Sequence, residues 1–206
     1  MGRFKDKRFS EFKRRAILDA ATAEFAAKGL DKASMRAIAA AAGMTTGAIY
    51  TMFDGKEDIY AALLHESLAR LEAYVAKRTA AAKSPEGAVR ASVMAFFDYY
   101  VDRSFEVQLG MHSFSGLKHS SLGQERDKRL NAALLATLDI IGDAISKAGK
   151  GLSKRQVQAE RDAIFSSLLG ALSLAHTGRA ESIGSTPAAI MKTHVTSLLE
   201  RLAQNP

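Results

Sequence analysis

The stretch from Ser34 to Lys56 constrains this chain more than any other. It reads as two short helices joined by one tight turn. Ser34 is placed to cap the first helix, and Met35, Ile38, Ala39 and Ala42 follow at helical spacing, so one face is apolar. Gly43 falls where the chain must turn in a left-handed conformation, which glycine adopts without a Cβ penalty. Thr45 is placed to cap the second helix, whose inward residues are Ala48, Ile49 and Phe53. The two helices cross closely at Ala39, where a larger side chain would push them apart. A small residue, a glycine four positions on and a branched aliphatic six further (Ala39, Gly43, Ile49) satisfy that geometry at three points. Such a pair is a helix-turn-helix, and it points to duplex DNA as the partner.

The distribution of charge agrees. Residues 1–15 hold seven basic side chains (Arg3, Lys5, Lys7, Arg8, Lys13, Arg14, Arg15) against Asp6 and Glu11, a net of +5. The other 191 residues carry 22 basic and 20 acidic groups, a net of +2. The positive field is concentrated just before the helix-turn-helix, as expected of a basic arm on phosphate; a solvated, frayed terminus is the alternative.

From Arg14 to Leu64 the chain resembles the TetR family of bacterial transcription regulators. The resemblance is carried by Ile17, Leu18, Ala21 and Phe25 on a first helix with Gly29-Leu30 at its end, and by Ile38-Ala39 with Ala42-Gly43. It continues through Gly47-Ala48-Ile49-Tyr50, Phe53 and Lys56-Glu57-Asp58-Ile59 at the start of a fourth helix. Asp54-Gly55 departs from it, since the family more often has a single polar residue or Asn/Ser before the lysine. Beyond Leu64 only length and an all-helical pattern agree. The resemblance implies an all-α protein of about nine helices. A helix-turn-helix DNA-binding domain with a basic arm is expected over 1–55, and a helical effector-binding and dimerisation domain over 56–206.

Residue types within the motif suggest roles on DNA. The Tyr50 hydroxyl can donate to a phosphate oxygen, and the family match favours this over packing against Phe53. The Lys56 ammonium and nearby backbone N–H groups can hold a phosphate. Ser34 and Thr46 can donate hydroxyls, although Ser34 also serves as a cap. Arg36 can reach guanine O6 and N7 in bidentate fashion, and Ala48 can touch a thymine methyl. Thr45, Thr46 and Thr51 are secondary base-reading candidates, and Gly47 presents no side chain. With so few long polar side chains, DNA shape and the arm are expected to supply part of the specificity.

Helical stripes predict helices near 10–28, 34–41, 45–52, 56–80, 85–106, 108–118, 124–148, 153–177 and 187–203. The helix near 153–177 is rich in small residues (Ala163, Ser166, Ser167, Gly170, Ala171, Ser173, Ala175). By the resemblance, the last two helices pair with their copies in a homodimer; a tightly packed intramolecular core is the alternative. Phe96, Phe97, Tyr100, His112 and Phe114 stand in an aromatic and Met-rich neighbourhood with isolated polar groups. Here the resemblance implies a small-molecule effector pocket, with an aromatic core as the alternative.

Other function classes find little support. The chain has no cysteine, which excludes disulfides and thiolate metal sites. His65, His112, His119, His176 and His194 are scattered without a carboxylate cluster. No catalytic constellation, metal site or cofactor is expected. The basic N-terminus lacks an apolar signal core, and the longest mostly apolar stretch, 163–175, contains Ser166, Ser167 and Ser173 and is too short to span a bilayer. A cytoplasmic protein is expected. The reading is a ligand-responsive, homodimeric regulator, a repressor released from a palindromic operator by a hydrophobic or aromatic effector. Its rivals are an effector-free DNA-binding regulator and a helical protein–protein interaction module.

Overall fold

A computed structural model describes residues 2–115 and 123–204, with side chains described from residue 8 onward apart from 112–115. Among the described residues there are ten helices and no strand. They are α1 (Gly2–Lys32), α2 (Met35–Ala41), α3 (Thr46–Tyr50), α4 (Lys56–Ala80), α5 (Pro85–Tyr100), α6 (Ser104–Ser115), α7 (Gln124–Ala148), α8 (Lys154–His176), α9 (Arg179–Ser182) and α10 (Pro187–Gln204).

Local chemistry explains most helix ends. Ser84 caps α5 by accepting the Gly87 N–H, with Pro85 in the first turn. Ser153 and Gln156 form a reciprocal capping box on α8. Thr186 accepts the Ala189 N–H at 3.2 Å at the start of α10.

Four helices differ from expectation; the sixth begins at Ser104 and not at 108, and residues 116–118 expected in it lie outside the described residues. The first begins at Gly2 and bends at Gly29, whose φ of 73° and ψ of 168° are non-helical. The fifth stops at Tyr100, well before 106, because the chain turns there and Arg103 N–H bonds the Tyr100 carbonyl at 3.0 Å. The short α9 was not expected; it lies between left-handed Gly178 and Gly184.

The helices pack as two compact units. The first comprises residues 1–66 with 109–130, and the second 67–108 with 131–206. The boundary expected at 55/56 falls inside the first unit, and α4, α6 and α7 each contribute residues to both. The first unit buries Ile17, Leu18, Ala21 and Phe25 of α1 with Ile38, Ile49, Phe53 and Ile59. The Phe25 ring meets Tyr60 edge-on at 5.4 Å, and the Tyr60 hydroxyl donates to the Leu109 carbonyl at 3.1 Å.

In the second unit α10 packs along α8 and α5. Its core holds Val89, Val93, Phe96 and Phe97 of α5, Ile141 and Ile145 of α7, Leu168 and Leu172 of α8, and Met191, Val195 and Leu198 of α10. Each set repeats every three or four residues, the spacing of one helix face. Ala163, Ser166, Gly170 and Ser173 of α8 are exposed, so these four sit on the side of α8 away from this core, whereas Ala171 is buried in it.

Candidate nucleic-acid interface

The motif forms as its spacing dictates. The Ser34 hydroxyl oxygen accepts the Ala37 N–H at 3.2 Å and caps α2, and the Thr45 hydroxyl oxygen accepts the Ala48 N–H at 3.2 Å and caps α3. Gly43 has a φ of 67°, in the left-handed region. The turn is closed by the Met44 N–H on the Ala39 carbonyl at 2.9 Å. Ile38, Ala39 and Ile49 are buried at the crossing.

Residues facing the other way are open to a partner. Ser34, Arg36, Thr45, Gly47, Tyr50 and Thr51 are exposed, and Thr46 and Ala48 are partly so. Tyr50 is 54% exposed while Phe53 is 3% exposed. Space around Gly47 is empty: a Cβ there would meet nothing within 4 Å. The protein's own packing therefore does not demand glycine at 47. The Thr51 hydroxyl donates to the Ala48 carbonyl at 2.7 Å, which commits its proton to its own helix.

Lys56 is engaged within the protein. Its ammonium donates to the carbonyl oxygens of Leu30 at 2.8 Å, Asp31 at 2.9 Å and Ala33 at 3.3 Å. An ammonium has three protons; two bonds go to the last turn of α1, where helix carbonyls lack intrahelical partners, and the third to Ala33 just after it. The side chain ties the start of α4 to the α1–α2 connection.

The basic arm is also partly committed. Arg15 bonds Asp19 through Nε at 2.8 Å and Glu66 through Nη1 at 3.0 Å. Arg14 lies 3.9 Å from Glu66, with its guanidinium 4.9 Å from the centroid of the Phe53 ring. Arg8, Phe9 and Phe12 are exposed, and the Lys13 ammonium sits 4.4 Å from the Phe9 ring centroid.

In the second unit, Phe96, Phe97 and Tyr100 are buried together, as the sequence pattern suggested. Two of the clefts among the described residues are not lined by these three. One, of about 260 Å³, is in the first unit and lined by Arg14, Phe53, His65 and Arg129 among others. The other, of about 600 Å³, lies along Asp139, Gly142, Val157 and Arg161 in the second unit. His112 and Phe114 are outside the residues whose side chains are described.

Around Tyr100 the structure assembles polar groups that the sequence reading passed over. Glu106 Oε2 accepts from the Ser67 hydroxyl at 2.5 Å, from Arg70 Nη2 at 3.2 Å and from the Tyr99 hydroxyl at 3.3 Å. The Tyr100 hydroxyl lies 3.1 Å from Ser67 Oγ. Burial pushes the Tyr100 phenol up to about 12, against the opposing effect of its Ser67 hydrogen bond. These residues come from α4, α5 and α6, and no sequence spacing links them. His176, partly buried, has its Nε2 3.0 Å from the Tyr100 carbonyl oxygen. Thr137, fully buried on α7, has a hydroxyl oxygen without a hydrogen-bond partner among the described residues.

Two exposed short helices, each capped by its own hydroxyl and crossed over a small residue at a left-handed glycine, define a helix-turn-helix. Residues 17–63 match the family described as bacterial regulatory proteins, tetR family. A 65-residue segment is 40% identical to the HTH-type transcriptional repressor Rv1474c of Mycobacterium tuberculosis (strain ATCC 25618 / H37Rv), covering 32% of this chain and 35% of that protein. The chain thus matches about a third of that relative's length. Residues 17–63 are thus an N-terminal domain of the TetR family of bacterial transcription regulators.

Solved structures extend the likeness of fold over nearly the whole chain. The transcriptional regulator FadR from Bacillus subtilis, in complex with stearoyl-CoA, is similar with a TM-score of 0.68 at 20% identity, covering 93% of this chain and 98% of that one. SCO4454, a TetR-family regulator from Streptomyces coelicolor, gives 0.70 at 18% identity, covering 95% and 96%. Among the described residues no helix is long and apolar enough to cross a membrane, and no three metal-binding side chains gather.

Proposed function

We propose that this regulator is a homodimeric repressor that reads a palindromic operator and is released from it by a small hydrophobic or aromatic effector. The observation that carries the reading is the outward face of the helix-turn-helix: Ser34, Arg36, Thr45, Gly47 and Tyr50 all exposed around one capped five-residue helix. In this reading α3 enters the major groove. Arg36 reads a guanine, Ala48 touches a thymine methyl, and Ser34, Thr46 and Tyr50 hold phosphates, with Thr45 and Thr51 at the margin. The DNA-binding function resides in 1–55, and effector binding and dimerisation in 56–206. DNA as the partner puts the protein in the cytoplasm.

The exposed small residues of α8 support dimerisation through α8 and α10 (the segments 153–177 and 187–203), because small side chains let helices approach closely. Two reading heads held on one two-fold axis match an inverted repeat. The buried aromatic cluster at Phe96, Phe97 and Tyr100 supports an apolar effector, with Phe114 and His112 on the following helix as further candidates. The B. subtilis FadR complex holds such a ligand, an acyl chain on a polar carrier. Effector binding shifts α4, which belongs to both units, and so changes the setting of the reading heads.

Selection of duplexes from a randomised pool by the full chain at near-physiological salt tests this. Enrichment of an inverted repeat is expected. Retention that is salt-sensitive and sequence-blind would reject it.

A further inference from the structure

The turn that joins α3 to α4 is held from two sides. On one side Lys56 grips the carbonyls at the end of α1, as above. On the other, Arg126 in the first turn of α7 reaches two carboxylates at once. Its Nε donates to Asp58 Oδ1 at 3.1 Å and its Nη2 to Asp54 Oδ2 at 3.1 Å. The second Asp58 oxygen accepts the Asp54 backbone N–H at 3.3 Å. Side chains of Arg126 and Asp58 are about one-third exposed, whereas that of Asp54 is 88% exposed.

We propose that Arg126 is a positioning residue for DNA reading: by bridging Asp54 and Asp58 it sets the turn that carries α3, and with it the angle of the reading helix. This rests on the reading of α3 given above. The last residue of α3 is Tyr50, so only three residues separate that helix from Asp54. Fixing Asp54 therefore restricts where α3 can end. A guanidinium is a rigid planar fork, so two bonds from one fork fix orientation as well as distance. A lysine ammonium at the same place is a point charge and carries no such orientation.

Energy alone does not explain the arrangement. Ion pairs with a partner as exposed as Asp54 contribute little to stability. A carboxylate beside a DNA-reading helix also repels phosphate, a cost for a protein whose partner is anionic. Asp54-Gly55 is moreover the point at which this chain departs from the pattern it otherwise resembles. Engagement by Arg126 gives Asp54 a role there, neutralises it, and turns it into a strut.

The test uses the full chain, a duplex selected from the randomised pool, and a shuffled duplex of equal length. Wild type is compared with Arg126→Gln, Asp54→Asn and the double variant. Affinity for both duplexes is measured across salt, alongside thermal melting. Each single variant is expected to lose about tenfold in the ratio of selected to shuffled affinity, the equivalent of one charge-assisted hydrogen bond. The double variant should lose no more than either single. The slope of log affinity against log salt should stay at the wild-type value, because Arg126 neutralises no phosphate. An unchanged ratio in both single variants overturns the proposal. So does a slope reduced by about one in Arg126→Gln, which would put Arg126 on phosphate. Equal losses on both duplexes with a lower melting temperature would reduce the strut to a structural contact and overturn it as well. A wild type that does not discriminate the duplexes would instead remove the reading on which the proposal rests.

Discussion

The Lys56 ammonium donates to the Leu30 carbonyl oxygen at 2.8 Å, across 26 residues of chain. The same ammonium also takes the Asp31 and Ala33 carbonyls, so one side chain closes the first helix and opens the fourth. The position most easily read as a phosphate ligand is thus a keystone of the DNA-binding unit.

Lys56→Met should therefore act on folding before binding. Loss of charged hydrogen bonds to helix-end carbonyls predicts destabilisation of about 1.5–3 kcal/mol, read by urea denaturation. The salt slope of DNA binding should not change in material that remains folded. A slope smaller by about one would return Lys56 to the phosphates.

Gly47→Ala should separate the fold from the function in the other direction. A Cβ at 47 meets nothing within 4 Å and φ is not positive there, so the methyl is accommodated. Alanine in place of an exposed helical glycine predicts stability unchanged or raised by about 0.5–1 kcal/mol. DNA affinity should fall, because the methyl would occupy the surface that approaches the groove. Thermal melting and anisotropy titration on one sample check both signs.

Arg36→Ala and Tyr50→Phe should weaken DNA binding in different ways. Arg36→Ala is expected to cost about 1–3 kcal/mol and to relax one base position of the selected site. Removal of the Tyr50 hydroxyl should weaken all duplexes alike, because a phosphate contact carries no sequence information. Both residues are exposed, so melting temperatures should stay near the wild type. Binding to a panel of single-position operator variants distinguishes the two patterns.

Alkaline titration should expose Tyr100. Its pKa is raised to about 12 by burial, above the ordinary value of 10.0. The folded state therefore holds this proton where the unfolded chain releases it. Its contribution to stability is fully present below about pH 10 and is lost as the pH rises towards 12, amounting to about 2–3 kcal/mol. Tyr100→Phe should flatten that part of the stability–pH profile, measured by denaturant unfolding between pH 8 and pH 12. An identical slope in the two proteins would count against a buried phenol.

Much of the DNA-binding unit was legible because its signals are local. Ser34 and Thr45 cap the helices that follow them within three residues, and Gly43 turns where a left-handed residue is needed. The stripes of α5, α7, α8 and α10 gave the core of the second unit for the same reason. What escaped depends on contacts distant in sequence. Nothing near Lys56 announces carbonyls more than twenty residues away, and nothing near Asp54 announces Arg126, 72 positions on. The convergence of Ser67, Arg70 and Tyr99 on Glu106, with the Tyr100 hydroxyl on Ser67, needs three helices to meet. The end of α5 at Tyr100 was missed because no glycine or proline marks the Val101–Arg103 turn.

Competition binding decides the reading most directly. The full chain is bound to the duplex selected from the random pool, at about 0.15 M salt, and displaced with that duplex or with a shuffled one of equal length. A reader built on α2 and α3 should prefer its site by at least about 10³-fold, the range of specific over non-specific binding. A ratio near one, with both duplexes lost together as salt rises, would mean that the exposed face of α3 meets phosphate without reading bases, and would contradict the function proposed here.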